Sequence, residues 1–303
     1  MPADHVPTTG AAAETSTEIA SEITTEITPV TPPESLPYAR ITTWLTVILA
    51  GAVVLAWLLL TPRGVLGKAD AVGYAICHRI EERTFHYHDR PLPLCARCTG
   101  IYLGVMTGLV TFAVRGRLRA ARLPRLPLIA VLLLPGVAIG IDGFNSYLSL
   151  FDSYQPPYQP HNTLRLVTGM YAGLTMITLV LPVYNAILWQ RPQPQPPVYN
   201  MLDILLLYGI AALVIGAVLV EVPLLLLVAG LVSTVGVLLM FFVVGSTLFL
   251  TLTRRENTLL GWRDLALPAV AGIGFAVLLV GSIDALRYFF VGSWDGFDLS
   301  QFQ

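Results

Sequence analysis

The chain has 303 residues, of which 12% are charged and 55% hydrophobic, with a net charge of −1 and three cysteines. An ordinary globular chain carries roughly 25% charged residues, so too little charge is present to cover a water-facing surface. This excludes a soluble monomer, a disulfide-dense scaffold and an electrostatic footprint for nucleic acid, and it leaves an integral membrane protein.

Residues 1–38 differ from the rest. They hold five Glu, one Asp, six Pro and eight Thr, and no Lys or Arg. A four-residue unit repeats at Thr17–Ala20, Ser21–Thr24 and Thr25–Thr28. A helix here would stack Glu18, Glu22 and Glu26 at i, i+4, where like charges repel. A disordered acidic tail is expected, with docking to a basic partner protein as the alternative. The acidic start does not read as a signal peptide.

Crossing a bilayer takes about 20 apolar residues. Ile41 to Leu60 supplies them, followed by roughly Thr99–Val114, Leu126–Tyr147, Leu164–Tyr184, Leu202–Val220, Leu224–Leu252 and Leu265–Phe290. The expected fold is therefore all-α: a polytopic membrane protein in contact with the lipid bilayer, with about seven transmembrane helices. The shorter apolar stretch Ala69–Cys77 predicts a half-inserted or interfacial helix near residues 66–80. A membrane domain over residues 39–189, a Pro-rich linker over 190–200 and a three-helix extension over 201–303 follow from these spacings.

The densest basic run, Arg115 to Arg125, belongs in the cytoplasm by the positive-inside tendency. Alternation then places the Cys/His loop and the C-terminus outside. The loop Thr61–Arg97 carries six basic residues on that outer side, a conflict that Asp70, Glu81, Glu82 and Asp89 would relieve by holding those charges in place. An eighth crossing over Gly64–Ile80 is the alternative.

All three cysteines and three of the five histidines lie between Cys77 and Cys98. Cys95-x-x-Cys98 can place two sulfurs on one tetrahedral ion, with Cys77, His78, His86 or His88 completing the set around zinc or another divalent metal. Thiol–disulfide chemistry is a second reading, since Arg97 and a helix start near Thr99 favour thiolate. A structural disulfide is a third.

Asp142 and Arg165 lie in apolar spans. An ionisable group there usually faces protein and has a partner, so the two are expected to pair. That pair either fixes helix register or, with Arg97, belongs to the Cys/His site as a candidate catalytic group. Glycines four apart (Gly100, Gly104 and Gly108; Gly136 and Gly140; Gly169 and Gly173) predict close helix packing. Asp284 and Arg287 read as a snorkelling or local pair.

These residues carry a resemblance. Cys77-His78, Arg83 with Phe85, Pro93-Leu94-Cys95-Ala96-Arg97-Cys98-Thr99-Gly100 with Tyr102, Asp142-Gly143, and Asn162, Arg165, Thr168-Gly169 resemble domain-of-unknown-function family 2085, a family of bacterial and archaeal multi-pass membrane proteins. The match covers about residues 70–185. His86, His88, the linker and the last three spans depart from the family pattern. The resemblance implies a membrane protein and these site residues, and carries no activity with it. Three functions stay open: a metal-containing membrane enzyme or metal-dependent membrane protein acting on a lipid-like or anionic substrate, a transporter or binding protein whose cysteines are structural or redox-active, or a structural subunit whose site holds a partner protein.

Overall fold

A computed structural model describes residues 37–149, 151 and 155–294. The acidic stretch expected to be disordered lies, apart from its last two residues, outside the described residues. Two units are distinguished, Met1–Thr42 and Thr43–Gln303. Of the first, only the start of a helix is described, and everything below concerns the second.

The described residues contain eight α-helices: α1 Pro37–Leu60, α2 Gly64–Ile76, α3 Ala96–Val114, α4 Leu126–Leu148, α5 Asn162–Leu188, α6 Met201–Leu219, α7 Pro223–Leu252 and α8 Ala266–Val291. Seven are long and apolar enough to cross a membrane. Their outward faces are large hydrophobics such as Leu59, Leu126, Leu213 and Phe289, as lipid-facing helices require when only intrahelical hydrogen bonds satisfy the backbone. The chain is a polytopic membrane protein.

α2, with 13 residues, reaches about 20 Å, short of the roughly 30 Å hydrocarbon core. It therefore does not cross as an eighth span. Thr61 ends α1 by returning both its N–H and its hydroxyl to the Trp57 carbonyl. Lys68 on α2 then donates to the Leu58 and Thr61 carbonyls, covering orphan acceptors at the end of α1.

α3 and α5 form the densest contact. A Cβ on Gly100 or Gly104 would strike the Leu166 or Met170 carbonyl, and one on Gly169 or Gly173 would strike the Arg97 or Ile101 carbonyl. The glycines on the two helices answer each other, as their spacing predicts. Gly136 and Gly140 on α4 do not: a Cβ at either position meets open space. α4 instead joins α5 through Leu132, fully buried, and the Thr175 hydroxyl, which donates to the Leu132 carbonyl at 2.5 Å.

Helices α7 and α8 carry close approaches of their own, Gly245 against Phe275 and Gly272 against Phe242. α7 also packs on α3, where Gly236 meets Tyr102, and on the loop before it, where Gly230 meets Leu92 and Pro93. At the opposite end Asn185 donates to the Leu118 and Ala120 carbonyls, Arg119 lies 3.9 Å over the Trp189 ring, and Arg115 and Arg117 pair with Asp203. The Pro-rich segment is strapped to this basic loop, Ala121 and Arg122 donating to the Gln193 and Gln195 carbonyls.

Candidate metal centre

Between α2 and α3 the chain makes one 3-10 turn, Glu81–Arg83, and one hairpin, β1 His86–Tyr87 against β2 Arg90–Pro91. His88 turns the hairpin with φ of +51°, the positive value a tight two-residue connection needs. Phe85 and Leu92 are buried beneath it, and Leu92 N–H donates to the Phe85 carbonyl at 2.9 Å. A Cβ on Gly73 would fall on the Pro93 carbonyl, so the returning strand can lie directly on α2.

That return brings the cysteines together. Cys77 follows the last turn of α2 and Cys95 caps α3. Helix α3 starts at Ala96, three residues before the expected Thr99, because Cys95 is extended (φ −63°, ψ 161°) and the Thr99 hydroxyl donates to the Leu94 carbonyl at 3.1 Å. Cys98 thus sits in the first helical turn. The three sulfurs lie within 4.8 Å of one another, and all three cysteines are free thiols. Cys77 Sγ accepts the N–H groups of Arg79 and Cys95 at 3.5 and 3.4 Å.

Hydrogen bonds from the Cys77 and Cys98 thiols, and from the N–H groups of Cys98 and Arg97, hold the Cys95 thiol well below its usual range. Donation to Cys95 pushes Cys77 up to about 11. Three sulfurs this close ionise together only around a cation. Tetrahedral zinc with Zn–S near 2.3 Å separates its sulfurs by roughly 3.8 Å, so the triad can hold a metal ion.

No imidazole joins the triad among the described residues. His78 lines the same cavity, His86 faces Glu81 at 3.8 Å, and His88 sits in the hairpin turn. The two hairpin histidines are placed by β pairing rather than by the thiols.

The expected pair of Asp142 with Arg165 is corrected. Asp142, 2% exposed, pairs directly with Arg97 and accepts the Tyr158 hydroxyl at 3.3 Å. Arg165 instead donates to Asn162 Oδ1 at 2.9 Å and Ser146 Oγ at 3.0 Å. The reason is position: Arg97, in the first turn of α3, reaches the carboxylate. Asn162 also donates to the Glu82 carbonyl at 3.1 Å, so Asn162-x-x-Arg165 ties the start of α5 to the cysteine loop.

Asp284 and Arg287 are not a local pair either. Asp284 accepts the Trp57 indole N–H at 3.2 Å. Arg287 donates to the Tyr74 and Cys77 carbonyls, the latter at 2.8 Å, and stacks 4.0 Å from the Tyr74 ring. Asp70 pairs with both Arg79 and Arg90, which answers part of the charge conflict in this loop. A cavity of about 290 Å³ opens beside the thiols, lined by Cys77, Cys95, Cys98 and four arginines.

This geometry belongs to a stretch with relatives. The family described as "predicted membrane protein (DUF2085)" matches residues 77–179. An uncharacterized protein of Methanothermobacter thermautotrophicus is 37% identical over 114 residues, 37% of this chain and 91% of the relative. The chain belongs to this family. An uncharacterized protein of Methanocaldococcus jannaschii is 29% identical over 121 residues, covering 40% of this chain and 71% of the relative. No solved structure matches. The DUF2085 segment contains every cysteine, Asp142 and Arg165, and α6 to α8 lie beyond it.

Proposed function

We propose that this DUF2085 protein is a metal-dependent membrane protein. In this reading Cys77, Cys95 and Cys98 hold a thiolate-preferring divalent ion such as zinc, and the cavity beside them takes a lipid-like or otherwise anionic substrate. The proximity of three free thiols at the wall of an arginine-lined cavity carries the proposal. Three protein ligands are the number at catalytic zinc sites, where the fourth position is left to water or substrate. When bound, such an ion supplies Lewis acidity and a water of lowered pKa.

The protein groups divide the remaining work. Arg97 and Arg165 bind and orient the anionic part of the substrate, and Asp142 is a positioning residue that acts through Arg97. His78 lines the cavity and is the imidazole through which a proton would move there. Residues 39–189 carry the chemistry, and residues 201–303 brace it through α7 and α8. The basic run Arg115–Arg125 orients the cavity towards the outer face, a depth suited to an amphiphile.

Metal analysis of the detergent-purified full chain tests this. About one divalent ion per chain is expected in the wild type, falling to background in Cys95→Ser/Cys98→Ser. A folded wild type without stoichiometric metal overturns the proposal.

A further inference from the structure

The cavity beside the thiols holds more positive charge than its neighbours balance. Arg79, Arg83, Arg97 and Arg165 line it. Asp70 serves Arg79 and also Arg90, and Asp142 serves Arg97. The ion pairs among the described residues give no carboxylate to Arg83 or Arg165. Counting Arg90, five guanidinium groups share two directly paired carboxylates, Glu82 acts on Arg83 only from beyond pairing distance, and three thiolates around a divalent ion add one negative charge. Positive charge remains in excess.

A second observation points the same way. The Nε atoms of Arg97 and Arg165 are buried and have no acceptor. Arg165 is 6% exposed, and its two terminal nitrogens are fixed on Asn162 and Ser146. A buried cation without a counter-charge is costly, and so is a buried N–H without an acceptor. One ligand relieves both: a doubly charged oxyanion with several acceptor oxygens. A carboxylate would bring one charge and two oxygens. A phosphate monoester brings close to two charges near neutral pH and three terminal oxygens, and guanidinium forks suit it.

We propose that this cavity binds a phosphate monoester group, seated between Arg83 and Arg165 with the Arg97 Nε as a further donor. This deepens the reading above by naming the charged part of its substrate, yet it rests on the arginines rather than on the thiols. The phosphate is either free in solution or the headgroup of a membrane lipid. Tyr147, on the exposed face of α4, also lines the cavity, and so gives a lipid headgroup a lateral approach.

The test uses the full chain in nanodiscs, with metal content measured on the same sample. Labelled inorganic phosphate is titrated at pH 8 and constant ionic strength. Saturable binding is expected, weakened at least tenfold in Arg83→Gln and Arg165→Gln and unchanged in Arg191→Gln, whose side chain is exposed at the other end. Should Arg165→Gln fail to fold, Arg83→Gln decides, because it lies in the half-buried turn before the hairpin. Displacement of the label by phosphatidic acid and not by phosphatidylglycerol supports a lipid phosphate; binding without displacement supports a free one. Folded wild type with no saturable binding in either arm overturns the inference, as does an Arg83→Gln variant that binds like wild type. Phosphate binding to metal-free wild type upholds it while the metal reading falls. Metal without phosphate binding removes this inference alone.

Discussion

Arg287 Nη1 donates to the Cys77 carbonyl at 2.8 Å, across 210 positions of the chain. The same nitrogen serves the Tyr74 carbonyl, so one side chain of α8 caps the C-terminal end of α2. The last carbonyls of a helix lack intrahelical partners, and a cation there is favourable. A helix outside the DUF2085 segment thereby holds the backbone of the first cysteine.

Arg287→Ala is expected to leave those carbonyls without their donor, at about 1–3 kcal/mol for a buried group. Thermal unfolding in detergent should fall accordingly, and the alkylation rate of Cys77 should rise. Arg287→Lys should recover part of both. Unchanged unfolding and alkylation in the Ala variant would show that the cap is idle.

The Arg97–Asp142 pair predicts coupling. Removing either member strands a charge in a poorly solvated place, at roughly 3–5 kcal/mol. Arg97→Gln and Asp142→Asn together should cost less than their sum, with a coupling of about 0.5–3 kcal/mol. The corresponding cycle of Asp142 with Arg165 should couple more weakly, since Arg165 is held by Asn162 and Ser146. Equal coupling in the two cycles would contradict this geometry.

Much of this architecture is legible in the residues alone. Apolar runs of about 20 residues locate the seven long helices, because a hydrocarbon core admits little else, and three cysteines within 22 residues locate the triad. Partner choice is not legible. Asp142 and Arg165 lie on consecutive spans and carry opposite charge, yet Arg97 intervenes from α3 because its helix starts at Ala96. Glycine spacing states that a helix face is small and not what lies against it, which is why α3 and α5 meet as expected while Gly136 and Gly140 face open space. Arg287 announces itself only as an intramembrane cation in need of acceptors, and nothing near it in sequence names the Cys77 carbonyl.

The glycine seam sets a third expectation. Gly104→Ala and Gly173→Ala push a methyl into opposing backbone, and overpacking of this kind costs about 1–3 kcal/mol or more. Gly140→Ala should stay within about 0.5 kcal/mol, like other open positions. Detergent unfolding midpoints of the three variants check the order, and an equal loss at Gly140 would place α4 against another helix.

Thiol ionisation gives a pH signature in metal-free protein. Cys95 is held low, so its contribution to stability is present above its unfolded pKa and fades as pH falls through the lower folded value. Cys77 is held high, near 11, so its contribution is present below the unfolded thiol pKa and fades as pH rises through about 11. Alkylation by iodoacetamide should therefore modify Cys95 before Cys77, and at pH values well below the usual thiol range. Mass spectrometry of the labelled peptides reads the order, and simultaneous modification of the two would remove the asymmetry.

The α3–α5 seam also limits how the site can open. Gly100, Gly104, Gly169 and Gly173 meet backbone carbonyls rather than side chains, so no rotamer change can relax that stretch and the two helices must travel as one body.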